Sequence, residues 1–408
     1  MPERGAKRGR LEDIPAQIWV LLGATFFVAI GFGLIVPVLP QYAASFGVNA
    51  FSVSLVVSAF ALMRLVTAPF AGWAVDKSSQ RVIYSLGLIL VAASSLASAF
   101  AGTYEQLLLF RGLGGIGSSM FTIAAAGMVI RYSPVSVRGR VSAMWGGMFL
   151  IGNIAGPALG GLLGQFGMRV PFIIYAIALA IAAVIVMLAL RNPPVTAGGA
   201  KPKLPPAKFV DSIGDSAYRG LLVAGLAAGW VNFGVRNALI PLFVAATMTE
   251  EPWVTGAVMA IAAAGNVLAL PIAGRGSDAR GRRPYLIAGL SVSGLSLILI
   301  PFAANLALLM LICAVGGFGA GLAATAQQAG VADIVGQERS GGTVISGVQM
   351  ATDIGTIVGP IVAGAIVDGS GYGWAFAASG FIACAAAVLW VWRREPRRQD
   401  DERPAAGS

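Results

Sequence analysis

The sequence predicts an all-α membrane protein of twelve transmembrane helices in two six-helix repeats. Composition points there first: of 408 residues, 57% are hydrophobic and 11% charged, with a mean hydropathy of +0.80, outside the balance of a soluble globular chain. Run length is the second observation. A hydrocarbon core of about 30 Å needs roughly 20 apolar residues per helix, and twelve such runs fit between Gln17 and Trp392. Internal repetition at an offset near 202 residues is the third. "GWAVDKSSQR" from Gly72 matches "GRGSDARGRR" from Gly274, "RGLGGIG" from Arg111 matches "CAVGGFG" from Cys313, and "GNIAGPALGG" from Gly152 matches "GTIVGPIVAG" from Gly355. Runs such as "YAIALAIAAVIVMLAL" are continuously apolar, which excludes barrel strands, whose polarity alternates.

Taken in order, a basic tail (1–16) precedes span 17–40, which contains "GFGLIVPVLP" with Gly31, Pro37 and Pro40. No basic-apolar-cleavage pattern stands apart from this span, so it is expected to be retained. Spans 51–75 and 82–101 flank a loop holding Gly72, Asp76, Lys77 and Arg81. Span 105–130 carries "RGLGGIGSS", span 139–165 is rich in glycine, and span 170–190 is uniformly apolar. Together these make an N-terminal domain, 17–191. A linker rich in Pro and charge, 192–218, leads to a C-terminal domain, 219–392, with spans 219–247, 253–274, 284–304, 306–331, 342–367 and 373–392. Gly274, Asp278, Gly281, Arg282 and Arg283 form its counterpart of the first charged loop, and a tail, 393–408, follows.

Orientation follows from the cations. Of 28 basic residues, Arg64, Arg111 and Arg236 fall inside spans and Arg169 in an outer loop, which leaves 24 on one side. The enrichment of Lys and Arg in cytoplasmic loops places both termini in the cytoplasm of a cell-membrane protein. The net charge of +10 belongs to loops and tails such as "RGAKRGR" and "RREPRR", which face lipid headgroups rather than nucleic acid. With no histidine, and with Cys313 and Cys384 in different spans, a His-ligated or Cys/His metal site is excluded. No metal or organic cofactor is expected, and the absence of a catalytic cluster or P-loop argues against an enzyme.

Gly112, Gly114 and Gly117 have the GxGxxG spacing, but that spacing cradles a dinucleotide only between a strand and a helix. Here apolar sequence flanks it within one span, and Gly115 and Ser119 instead offer a small surface for helix packing. Charges inside spans are costly and functional by default. Arg111 lies ~9 Å inside the outer end of its span, and Arg236, in the outer third of span seven, suits an anionic group. Asp353 is the acid well inside a span; Arg64, ~18 Å along span two from Asp76, stands at a similar depth. Phe26, Met63, Trp145, Met148, Trp230 and Phe233 would suit an apolar ligand.

Four of these motifs resemble those of the major facilitator superfamily, specifically its twelve-helix drug:proton antiporter branch. They are the charged loop with Gly72 and Asp76, repeated at Gly274 and Asp278; Arg111 with Gly115 and Gly117; Gly152, Gly156, Pro157, Gly160 and Gly161, echoed by Gly359 and Pro360; and Gly31, Pro37 and Pro40. Ser79 and Gln80 stand where the family usually has Gly and Arg, and the acid many drug antiporters carry in span one or mid-span four is missing. The resemblance implies that Asp76 caps the start of span eleven, that Arg111 serves proton relay, and that the span-five glycines mark an antiporter. Helices two and eleven face each other in that family, so an Arg64 to Asp353 pair could exchange a proton as it makes and breaks. The expected function is proton-coupled export of small, largely apolar compounds by alternating access. Alternatives are a lipid or lipid-precursor flippase, or a proton-coupled symporter for uptake. The expected partners are a small-molecule substrate, protons and the bilayer, with the chain a monomer.

Overall fold

The computed structural model describes residues 14–133, 137–190, 213–335 and 342–393; most of the linker 192–218 and of both tails lies outside them. The described residues form helices and no strand. In chain order these are α1 (Ala16–Ile35), α2 (Leu39–Ala44), α3 (Ala50–Lys77), α4 (Gln80–Ala99), α5 (Tyr104–Tyr132), α6 (Arg138–Gly164) and α7 (Val170–Ala189). After the linker come α8 (Ser216–Ala228), a π-helical segment (Gly229–Val235), α9 (Arg236–Thr247), α10 (Pro252–Arg280), α11 (Arg283–Leu299), α12 (Leu306–Val335), α13 (Gly342–Ser370) and α14 (Tyr372–Val391). Among the described residues, eleven helices are long and apolar enough to cross a membrane. The seventh crossing is the continuous run of α8, the π segment and α9, whose pieces are each shorter than a span.

Three departures from the sequence reading have local causes. Span one stops being helical at Ile35, because Pro37 has no N–H to donate to the helix; the chain turns and restarts as the short α2. Asp76 and Asp278 lie on the last turns of α3 and α10 rather than in loops, since the helices run on to Lys77 and Arg280. Gly281, with φ +91°, then ends α10 in a conformation that L side chains avoid. Span seven, expected as one α-helix, widens into the π segment, where each backbone bond encloses an extra residue.

Polar side chains set several helix starts. Thr103 accepts the N–H of Gln106 (3.3 Å), and Gln106 Oε1 accepts that of Gly102 (2.8 Å), opening α5. Asp215 accepts the N–H of Ala217 (2.8 Å) at the head of α8.

Taken over the described residues, the chain divides into two compact units: Met1–Tyr42 with Ala59–Ala197, and Ala43–Ser58 with Gly198–Ser408. Residues 43–58, which the repeat assigns to the N-terminal half, therefore group with the second unit. In the first unit α1 packs on α6, and α4 lies between α5 and α7. The second unit repeats this: α8 and the π segment pack on α13, and α11 lies between α12 and α14. Large apolar side chains such as Phe70, Phe166, Leu188 and Trp392 are left exposed, as a lipid-facing wall requires.

Candidate functional site

The glycine motifs come together as helix seams. A Cβ on Gly152 would meet the backbone of Ala29 at 2.6 Å, one on Gly156 the Cα of Gly33 at 2.5 Å, and one on Gly160 the backbone of Leu34. Because α6 presents glycine every fourth residue, α1 approaches to backbone contact. Pro157 lies in the same seam, against Gly33. In the second unit Gly355 faces Leu226 and Trp230, Gly359 faces Trp230 at 3.0 Å, and Pro360 fills the space beside Gly234. Trp230 is therefore a seam residue, and its indole N–H donates to Ser379 at 3.2 Å.

Each unit also buries an arginine. Arg111 is 4% exposed, lies over the ring of Phe60 at 4.8 Å and interacts electrostatically with Tyr175. Gly31 makes room for that tyrosine: a Cβ there would strike the Tyr175 ring. Arg236 is 7% exposed and donates to Ser296 Oγ (2.9 Å) and Ser293 Oγ (3.4 Å). Neither guanidinium has a carboxylate within ion-pair distance among the described residues.

Asp353 is 9% exposed on α13, where it accepts a hydrogen bond from Gln349 Nε2 (3.0 Å) one turn earlier. Arg64, half-buried on α3, belongs to the first unit and Asp353 to the second. Trp145 borders a small apolar cleft with Thr25, Tyr84, Phe121 and Phe149, and its indole N–H is buried without an acceptor among the described residues. Met63 packs against Gly112 and Gly115, Phe26 packs edge-on to Phe27, Met148 is half-buried, and Phe233 is largely exposed. The six proposed ligand-facing residues are thus not one cluster within either unit.

The two copies of the charged motif differ. Asp76 is exposed, and residues 336–341, just ahead of α13, lie outside the described ones. Asp278 pairs with Arg282 (2.7 Å), which also bonds Asp333 on α12 (2.9 Å). Burial works against the Arg282 charge, but the bonds and charges of Asp333 and Asp278 outweigh it and raise its pKa. Sequence reasoning missed the role of the last arginine of each copy. Arg81 donates to the carbonyl of Leu190 (2.6 Å), just past α7, and Arg283 to that of Trp390 (2.9 Å) at the end of α14. Each cation thus closes the unpaired carbonyl end of the last helix in its repeat. The signal was present, since Arg81 and Arg283 are themselves 202 residues apart.

Comparison with known proteins completes the assignment. A family model for the Major Facilitator Superfamily matches twice, over residues 21–248 and 221–407. The chain is 33% identical over 178 residues to the quinolone resistance protein NorA of Staphylococcus aureus, covering 44% of this chain and 46% of that one; it spans about half the length of that relative. It is 25% identical over 360 residues to the synaptic vesicular amine transporter of Homo sapiens, covering 86% of this chain and 68% of the other. Among solved structures, a bacterial homologue of the human lysosomal transporter Spinster superposes with a TM-score of 0.75 at 18% identity, over 94% of this chain and 96% of that one. A POT family transporter in complex with 5-aminolevulinic acid gives 0.76 at 13% identity, over 94% and 97%. The fold, the paired repeats and the family match agree, and the chain is a multi-pass membrane protein that belongs to the major facilitator superfamily, a family of transporters and not of enzymes.

Proposed function

We propose that this transporter exports small, largely apolar compounds in exchange for protons, by alternating access between its two six-helix repeats. The observation that carries this reading is the α1–α6 seam, in which Gly152, Gly156 and Gly160 bring two helices to backbone contact around Pro157. It is the same motif whose resemblance implies antiport. The local likeness to a quinolone resistance protein supports a drug-like substrate, and that to an amine transporter supports proton exchange. Asp353, buried on α13 beside Gln349, is the proposed proton carrier. Arg111 is the proposed relay and Arg64 the proposed intermittent partner of the carboxylate. Asp76 and Asp278, with Gly72, hold the basic ends of α3 and α10, proposed to be cytoplasmic.

The test is transport in proteoliposomes carrying an imposed pH gradient, with a fluorescent quinolone as substrate. Antiport predicts accumulation of the quinolone on the acidic side, abolished by a protonophore. Movement in the same direction as the protons would replace export by symport. Translocation of a fluorescent phospholipid without quinolone flux would replace it by a flippase.

A further inference from the structure

The buried guanidinium of the second unit is surrounded by groups whose acceptors are already used. Ser296 Oγ accepts from Arg236 and gives its proton to the carbonyl of Ser293 (2.8 Å). Ser293 Oγ also accepts from Arg236 and gives its proton to Asn232 Oδ1 (3.1 Å). What remains unengaged is a set of donors. Arg236 Nε is buried with no acceptor among the described residues, and the bond at Asn232 Oδ1 leaves that side chain's amide nitrogen free to donate. A full positive charge facing only neutral oxygens, with spare N–H groups beside it, lacks one component: an acceptor carrying negative charge.

In the first unit Arg111 Nε is likewise buried with no acceptor among the described residues, and the internal repeat shows what differs around the two cations. At the 202-residue offset Gly114 corresponds to Gly316 and Ser94 to Ser296. A Cβ on Gly114 would strike Ser94 Oγ at 2.6 Å, and one on Gly316 would strike Ser296 and the Arg236 guanidinium. In both units the missing side chain of the glycine makes room for a serine hydroxyl, joined in the second by the Arg236 guanidinium. In the first, the neighbouring cation is Arg111 from α5, lying over the Phe60 ring. In the second, the position equivalent to Arg111 is Cys313 and that equivalent to Phe60 is Ala262. The cation comes instead from α9, at the exit of the π segment, and interacts electrostatically with Cys313. The aromatic face that helps offset the first charge has no counterpart for the second.

We propose that Arg236 Nε and the Asn232 amide nitrogen form a binding site for a small monoanion, either chloride or the carboxylate of an organic ligand. This site is independent of the direction of transport and of which carboxylate carries the proton.

The experiment measures thermal unfolding of the full-length protein in nanodiscs, at constant ionic strength in sodium methanesulfonate, while chloride or formate replaces the bulky anion. The expected result is a saturable rise of ~2–4 °C in the midpoint. Chloride acting at the lower concentration assigns the site to the inorganic ion, and formate acting first assigns it to a carboxylate. In Arg236→Gln the rise should vanish, while in Lys77→Gln, an exposed cation on α3, it should persist. If Arg236→Gln does not assemble, Asn232→Leu keeps the charge and removes one donor, and should raise the half-saturating concentration several-fold. Line broadening of the chloride-35 resonance by wild-type protein, relieved by formate, reads the same site without unfolding. Equal midpoints in all salts with no line broadening would overturn the proposal, and so would a chloride shift that survives Arg236→Gln.

Discussion

At the scale of single residues, what matters is how each buried charge is accompanied. A charge within an apolar core costs several kcal/mol unless something offsets it. Arg111 has the Phe60 ring and the Tyr175 side chain, Arg236 has serine hydroxyls, and Asp353 has the Gln349 amide. The partners of the two arginines were not evident from the sequence, because each lies on another helix, whereas Gln349 stands one turn from Asp353 on the same helix face. The charges themselves were plain, since a cation or acid inside an apolar run stands out against its neighbours. If Asp353 carries the proton, Asp353→Asn should retain substrate exchange driven by a substrate gradient and lose accumulation driven by a pH gradient. An amide fills the same volume and keeps a hydrogen bond to Gln349 but cannot take up a proton. Flux measured in proteoliposomes with and without the pH gradient checks this; accumulation at the wild-type level would move the proton to another group.

Helices are positioned by their glycines and their ends. The seam of α6 against α1 and that of α13 against the π segment leave no volume for a side chain, so overpacking should be costly at both. Gly156→Leu and Gly359→Leu should each destabilise their own unit by about 1–3 kcal/mol and reduce transport at least tenfold while membrane insertion persists. Thermal unfolding and quinolone flux of reconstituted protein measure the two effects, and wild-type flux in Gly156→Leu would make the seam irrelevant to transport. These seams were legible because small residues at a spacing of four mark one helix face. The other end of the problem was not legible. Asp368, near the end of α13, accepts the backbone N–H groups of Ala50 and Phe51 (2.9 Å each) and so caps α3 across more than 300 residues of sequence. An exposed aspartate in "VDGSGYG" gives no sign of this.

For the whole molecule, the twofold repetition is the governing fact. Gly115 meets the backbone of Phe60 and Gly317 that of Ala262; Gly87 and Gly289 meet residues 117 and 319 in the same way. Packing therefore recurs at the offset seen in the sequence, although the side chains at the seams differ. Orientation in the membrane is the matching global prediction. If the 24 of 28 basic residues that the span assignment puts on one side face the cytoplasm, protease added to inside-out vesicles should cut within 192–218, while intact cells should protect that segment. The reverse cleavage pattern would invert the topology.

The sequence by itself determined the class of the protein: the bilayer, the number of crossings, the two repeats and the family they resemble. These follow from hydropathy and periodicity, which are properties of short windows and survive any tertiary arrangement. Tertiary structure alone decided the π segment of the seventh crossing, the grouping of residues 43–58 with the second unit, and the cap that Asp368 places on α3. It also decided which side chains meet the buried cations, the Phe60 ring at Arg111 and the hydroxyls of Ser293 and Ser296 at Arg236. Such features depend on which side chains meet across helices far apart in the chain, and a one-dimensional pattern specifies the face of a helix but not the neighbour that covers it.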